Sequence, residues 1–396
     1  MRESQNPVKS GILCYTFRMS AAGSSLRKAT LSLIGTIIGA GIFGLPLVFS
    51  RVGILAGSLI FWLIAFLTLA THLLFAEIVL SHREKMRLPG YAHRELGRVG
   101  FIVATVAYPL QLVGSNLIYL ILGAEFLAAL FEPALGLTAP SVLWLALFFA
   151  LGALVVRFGL KFFAAVESAA TWILVAAIVV VVLVLLEKGS FGLPPTERWD
   201  LFLAPFGIFL FALSGVPAIV EIVEIAGRSR SRSNAAIILG TLVAAMLSWL
   251  FGVSLALAAG GQPLKNLTDI LSVLPAGWQW LLPVVGFLAV ITSYFVFSET
   301  LQNTLRLDFK VPPTAAWAAS MFGPFFLAFV INRDFLSLVN LVGTFFGGLS
   351  GALIGLIGYS LLRRRDDWTR HLAYPVLLSA AFYLFGMATR LIIPEL

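Results

Sequence analysis

The chain has 396 residues, 60% of them hydrophobic and 12% charged, with a mean hydropathy of +0.98. Soluble domains are less apolar and carry about twice that share of charge, so the composition excludes a water-soluble globular protein and indicates a polytopic membrane protein. A formal charge of +8 would suit nucleic acid, but the basic residues cluster by membrane side, and no nucleic-acid partner is expected.

The single cysteine, Cys14, excludes an intrachain disulfide. Residues 1–28 are polar and basic, without a short apolar core and small-residue cleavage site, and read as a cytoplasmic tail rather than a removable signal. A bilayer core about 30 Å thick takes roughly 20 apolar residues per helix. Apolar stretches of that kind fall at about 29–50, 54–80, 99–131, 139–157, 162–187, 201–226, 233–260, 279–308, 313–332, 335–362 and 372–393. The sequence therefore predicts an all-α protein of eleven transmembrane helices, with a single transporter-sized domain over 29–396 and no soluble domain.

Positive loops stay cytoplasmic. With the N-terminus inside, all but six of the 27 Lys and Arg fall on the cytoplasmic side, the exceptions being Arg51, Lys188, Arg198, Lys265, Arg333 and Arg390. An error in the number of spans would scramble this asymmetry, so the C-terminus is expected outside.

The first span reads "SLIGTIIGAGIFGLP", residues 32–46. Each interior glycine costs about 1 kcal/mol relative to alanine. Gly35 and Gly39 could simply form a close-packing face, as Gly347, Gly351 and Gly355 do in the tenth span. Gly41 leaves that face and Pro46 follows, which points to an interrupted helix. The sixth span, "FGIFLFALSGVPAIVEI" at 206–222, clusters Ser214, Gly215 and Pro217 at its middle. Two breaks five spans apart fit an inverted five-plus-five repeat, whose broken helices meet at the membrane midplane. Free amides at a half-helix start attract a carboxylate, and freed carbonyls attract an ammonium or metal ion. A zwitterionic amino acid carries both groups.

These two segments resemble the amino acid/auxin permease group of the amino acid–polyamine–organocation superfamily, most closely its bacterial aromatic and hydroxy amino acid permeases. The resemblance covers essentially the whole chain. It implies the leucine-transporter fold, with repeat one over about 29–187, repeat two over about 201–362 and an extra helix at about 372–393. It also implies that the amides of Ala40, Gly41 and Ile42 hold a substrate carboxylate, and that carbonyls of Ile37, Phe211 and Ala212 hold its ammonium. Phe211 would lid the site, Ser214, Gly215 and Val216 would line a side-chain pocket, and Tyr119 of the third helix would face it. The alternatives are lipid-facing bulk for Phe211 and simple packing for Tyr119. No charged residue falls at this pocket, so a neutral amino acid is the expected substrate, aromatic by resemblance.

For coupling, two readings stand. Thr292 and Ser293 in the eighth span, with carbonyls of Gly35 and Ile38, would form a sodium site in sodium-coupled relatives. Hard cations suit oxygen ligands, although membrane Ser and Thr also commonly bond their own backbone. A proton reading needs a titratable group in the bilayer, and Glu125 and Glu167 are its candidates. Glu77, Glu221, Glu224 and Glu299 lie near cytoplasmic ends and read as gate salt bridges or solvated groups. His72, alone within a span and without an acidic partner, reads as a hydrogen-bonding residue of the bundle. No cofactor is expected beyond the coupling ion.

The rival readings are an amino acid exchanger or a non-transporting sensor on the same fold, and a channel. A channel usually repeats its pore element around an oligomer axis, whereas this chain carries both breaks in one bundle. Four scattered histidines, at 72, 82, 93 and 371, and no nucleophile motif argue against an enzyme.

Overall fold

The computed structural model describes residues 25–136, 138–158, 161–187, 192–331, 334–365 and 371–390, with the side chains of 158 and 161–167 excluded. Residues 1–24, with Cys14, and the side chain of Glu167 lie outside this description, and residues 25–28 of the expected tail begin the first helix. The helices are α1 (Ser25–Ile37), α2 (Gly44–Val52), α3 (Ile54–Ser81), α4 (Leu88–Leu135), α5 (Ser141–Phe158) and α6 (Lys161–Glu187). They continue as α7 (Phe206–Ala212), α8 (Ile219–Ile225), α9 (Arg230–Ala258), α10 (Leu267–Ser272) and α11 (Leu281–Leu307). The chain closes with α12 (Pro313–Val330), α13 (Phe335–Leu341), α14 (Gly348–Arg363) and α15 (Ala373–Thr389).

Among the described residues, eight helical segments are long and apolar enough to cross a membrane, and the bent pair Ser25–Ile37 and Ala40–Val52 makes a ninth. Two shorter apolar helices, Ser141–Arg157 and Ala373–Thr389, accompany them. Side-chain direction follows lipid contact. On α3 the exposed residues Leu55, Leu59, Leu63 and Phe66 recur at helical spacing, while Thr68, Thr71 and His72 are buried toward the bundle. A membrane protein places its polar side chains inside because lipid offers them no partner.

Local deviations from straight helices sit where sequence and packing demand them. The long α4 departs from helical geometry at Gly97 (φ 68°, ψ −153°), which separates residues 88–96 from the membrane-crossing part expected from residue 99 onward. The tenth span is not the smooth small-residue helix its glycines suggest. Gly351 and Gly355 do pack on Tyr383 and Ala380 of α15, but α13 and α14 are joined by a π-helical turn, Val342–Gly347. In that turn Gly343 meets the backbone of Gly207 in α7, so the two chains approach without side chains between them.

Candidate functional site

In the first span, α1 ends at Ile37 and the chain resumes as a 3₁₀ turn, Ala40–Phe43, leading into α2 after a bend of 49°. Pro46 falls in the first turn of α2, where its missing N–H costs nothing. In the sixth span, α7 stops at Ala212 because Pro217 cannot donate to, and sterically opposes, the carbonyl four residues earlier. A short turn, Val216–Ala218, then starts α8.

The two breaks touch. A Cβ built on Gly41 would lie 2.5 Å from the Cα of Ala212 and 2.9 Å from its nitrogen, so backbone meets backbone there. The expected substrate-binding residues Ile37, Ala40, Gly41, Ile42, Phe211, Ala212, Gly215 and Val216 are all buried around this contact, and Ser214 is partly exposed. Ala40 and Gly41 open the 3₁₀ turn, before any residue that could have an intrahelical partner. Ile42 N–H donates a long bond to Gly39 O at 3.3 Å, and Gly39 N–H donates to Ile37 O at 2.9 Å. Phe211 O accepts from Ser214 N–H at 3.2 Å.

Phe211 is 9% exposed and faces the bundle rather than lipid, with its ring 6.2 Å from that of Tyr119. Tyr119 also lies edge-on to Phe297 at 5.2 Å, and its hydroxyl and that of Ser293 both crowd Gly39, at 3.2 and 2.6 Å from where a Gly39 Cβ would stand. One tyrosine thereby ties α4, α11 and the first break together.

The hydroxyl pair of α11 behaves in two ways. Thr292 Oγ1 donates within 2.9 Å of Leu288 O and 3.1 Å of Ala289 O in its own helix, and lies 3.3 Å from Gly35 O. Ser293 Oγ crosses to the first span, at 3.2 Å from Gly35 O and 3.1 Å from Thr36 O. Ile38 is buried beside this cluster, with its N–H bonded to Ile34 O. A residue that sequence reasoning missed completes the group. Thr171 of α6 is fully buried, its hydroxyl has no hydrogen-bond partner, and it lies 2.5 Å from where a Gly35 Cβ would stand. A lone threonine in an apolar run gave no signal, because only folding brings α6 against Gly35. Of the acidic candidates for coupling, Glu125 is exposed toward the C-terminal end of α4.

A second missed contact involves His72. Its Nε2 accepts the N–H of Gly215 at 3.0 Å, and its Nδ1 is 3.0 Å from Thr241 Oγ1. The histidine is thus bonded within the bundle, as expected, but to the break itself.

Charges pair at the end of the bundle where α4 begins and α8 and α11 end. Arg87, ahead of α4 and fully buried, makes a two-pronged ion pair with Glu221 of α8. Burial alone would lower the Arg87 guanidinium, but the Glu221 carboxylate outweighs it and holds the group above its ordinary range. Asp308, just after α11, accepts the N–H of Arg87 at 3.1 Å and of Gly90 at 2.9 Å. Burial raises its carboxyl above the usual aspartate range, against the pull of those two amides. Glu77 pairs with Arg230 and Arg365, and Glu224 with Arg228. Where α2 ends and α13 begins, a polar cavity of about 60 Å³ is lined by Arg51, Lys265, Asp334 and Asn340, with Arg51 donating to Leu264 O at 3.0 Å.

The architecture is that of known transporters. The chain is similar to MhsT in complex with L-phenylalanine, at 15% identity over 91% of this chain and 98% of that one, with a TM-score of 0.63. It is similar to Mhp1 in its inward-facing conformation, at 17% identity over 92% of this chain and 88% of that one, with a TM-score of 0.61. A closed Mhp1, described as a nucleobase-cation-symport-1 family transporter with bromovinylhydantoin bound, matches at 16% identity over 93% and 92% with a TM-score of 0.58. At such identities the likeness carries the fold alone, which is the leucine-transporter fold. No curated protein sequence matches the chain. The family model for transmembrane amino acid transporter protein matches residues 22–309, which include both breaks and the hydroxyl pair of α11. The chain, a multi-pass membrane protein and not an enzyme, belongs to the transmembrane amino acid transporter protein family.

Proposed function

We propose that the protein is a secondary active transporter that carries a neutral amino acid through alternating access, coupled to a cation. The observation that carries this reading is the backbone contact between Gly41 and Ala212, which sets the two helix breaks against each other in a member of an amino acid transporter family. The amides of Ala40 and Gly41, joined by Ile42 once its long bond to Gly39 opens, hold the carboxylate. Carbonyls of Ile37, Phe211 and Ala212 hold the ammonium. Gly215, Val216 and Ser214 line the side-chain pocket under Phe211 and Tyr119, and the absence of charge among them favours a neutral side chain, with aromatic substrates the first to try.

The nine long spans and two shorter apolar helices support eleven crossings. With the distribution of Lys and Arg, they support a cytoplasmic N-terminus and an outward C-terminus in the plasma (inner) membrane.

Sodium is the favoured ion. Carbonyls of Gly35 and Thr36, the hydroxyls of Thr292 and Ser293, and the unpartnered hydroxyl of Thr171 form an oxygen-rich corner of the kind a hard cation takes. Ile38 borders it, and proton transfer through Glu125 or Glu167 is the alternative.

The test is uptake of labelled tryptophan, tyrosine, serine, leucine and alanine into proteoliposomes under an inward sodium or an inward proton gradient. Sodium-driven accumulation is expected. Proton-driven accumulation alone would shift the coupling site to the glutamates, and equal exchange without net accumulation would make the protein an exchanger. Ser293→Ala is expected to lower sodium-driven uptake about tenfold, the effect of losing one hydroxyl worth roughly 1.5 kcal/mol. Unchanged sodium dependence in that variant would remove the hydroxyl pair from the ion site.

A further inference from the structure

Breaking a helix in the middle of a membrane leaves amides without partners, and lipid cannot supply them. In an unbroken sixth span the N–H of Gly215 would bond Phe211 O. That carbonyl is taken by Ser214 N–H at 3.2 Å, and Gly215 N–H turns instead to the imidazole of His72 on α3 at 3.0 Å. The direction of this bond fixes the ring's state. A backbone amide only donates, so Nε2 is the acceptor and the neutral ring carries its proton on Nδ1. Nδ1–H then donates to Thr241 Oγ1 of α9 at 3.0 Å. The imidazole bridges two otherwise continuous helices to the break in the third.

The surroundings leave little freedom. His72 is fully buried. A Cβ on Gly215 would meet His72 Cε1 at 3.0 Å and the side chains of Ile37 and Leu33 at 2.9 Å, so the ring, the second break and the last turn of α1 pack at one point. Beyond it, Ala218 N–H bonds Gly215 O at 3.0 Å and starts the cytoplasmic half-helix. A shift of the Gly215 amide therefore displaces the Ser214–Val216 backbone relative to the first break.

We propose that His72 is a positioning residue for substrate binding. By accepting the Gly215 amide, with its Nδ1–H anchored on Thr241, it holds the second break in the shape that presents Ser214, Gly215 and Val216 to the substrate. This rests on the reading of the breaks as the amino acid site, and the readouts below separate the two.

Hydrogen–deuterium exchange of the full-length protein in detergent, read on peptides spanning 210–220, is compared for wild type, His72→Phe and His72→Gln. Phenylalanine keeps bulk without an acceptor, whereas glutamine restores a side-chain oxygen for Gly215 and a donor for Thr241. Expected is exchange about ten times faster in the phenylalanine variant, from loss of one amide bond, with the glutamine variant near wild type. Equilibrium amino acid binding should follow the same order while thermal midpoints stay close. Exchange unchanged in His72→Phe, or equally fast in His72→Gln, would overturn the proposal. If the phenylalanine variant does not fold, Thr241→Val, which leaves the ring in place, carries the test: faster exchange in 210–220 supports the proposal and unchanged exchange overturns it. Wild-type protein that binds no amino acid, but shows the expected exchange pattern, would defeat the substrate reading and leave the role of His72 standing.

Discussion

Gly41→Val is expected to abolish uptake in a protein that still folds. The new Cβ would stand 2.5 Å from Ala212 Cα and 2.9 Å from both Ala212 N and Cβ, distances that real Cβ atoms do not reach. None of those atoms can swing aside as the end of a long side chain could, so the strain must be relieved by moving the two broken spans apart. Overpacking of this kind costs about 1–3 kcal/mol of stability, which a large bundle tolerates. Function is less forgiving, because displacing a binding group by about 1 Å is enough to cost on the order of a hundredfold. The measurement is initial uptake rate beside thermal stability in detergent. Uptake within a few-fold of wild type would mean that the Gly41–Ala212 contact does not form the substrate site.

Glu221→Gln should be the most destabilising single change at the cytoplasmic end. Arg87 has a fully buried side chain, and Glu221 is its two-pronged partner, itself 25% exposed. Removing one member of a buried pair leaves an uncompensated charge and costs about 3–5 kcal/mol. Because the pair links the start of α4 to α8, the second half of the sixth span, the loss falls on the state with that end closed. The variant should therefore melt earlier and populate an inward-open form, read by labelling of a single cysteine at Ser214 in a Cys14→Ser background. The double variant Arg87→Met, Glu221→Leu removes both charges and should recover most of the stability, since apolar replacement of a whole buried pair is often neutral or better. A Glu221→Gln protein as stable as wild type would show that Arg87 finds another anion, Asp308 being the nearest by backbone contact.

Much of the architecture could be read from residue order because lipid imposes simple requirements. Segment length located the long apolar helices, and Gly41 and Pro217 marked the breaks through backbone chemistry that holds in any fold. Ser293 could be singled out because adjacent hydroxyls in an apolar helix are uncommon enough to notice. Thr171 and His72 could not be placed in the same way. Each is a single polar residue whose meaning comes from a neighbour far along the chain, Gly35 for one and Gly215 for the other, and helical periodicity carries no information about such partners. The tenth span misled for a related reason. Its glycines do pack against α15, but Gly343 answers to Gly207 on α7, a contact that widens one turn and is invisible in a pattern of small residues.

The corner around Gly35 has a consequence for energetics. Every oxygen named there, from Gly35, Thr36, Thr171, Thr292 and Ser293, is uncharged. A monovalent cation held by them keeps its full charge, and a zwitterionic amino acid beside it adds none. The loaded carrier then differs from the empty one by one unit of charge. An interior-negative voltage drives the loaded step by up to about 2.3 kcal/mol per 100 mV and leaves the empty return unassisted. Transport on this design is electrogenic, and a cell could accumulate substrate from its membrane potential even where the cation is equally concentrated on both sides.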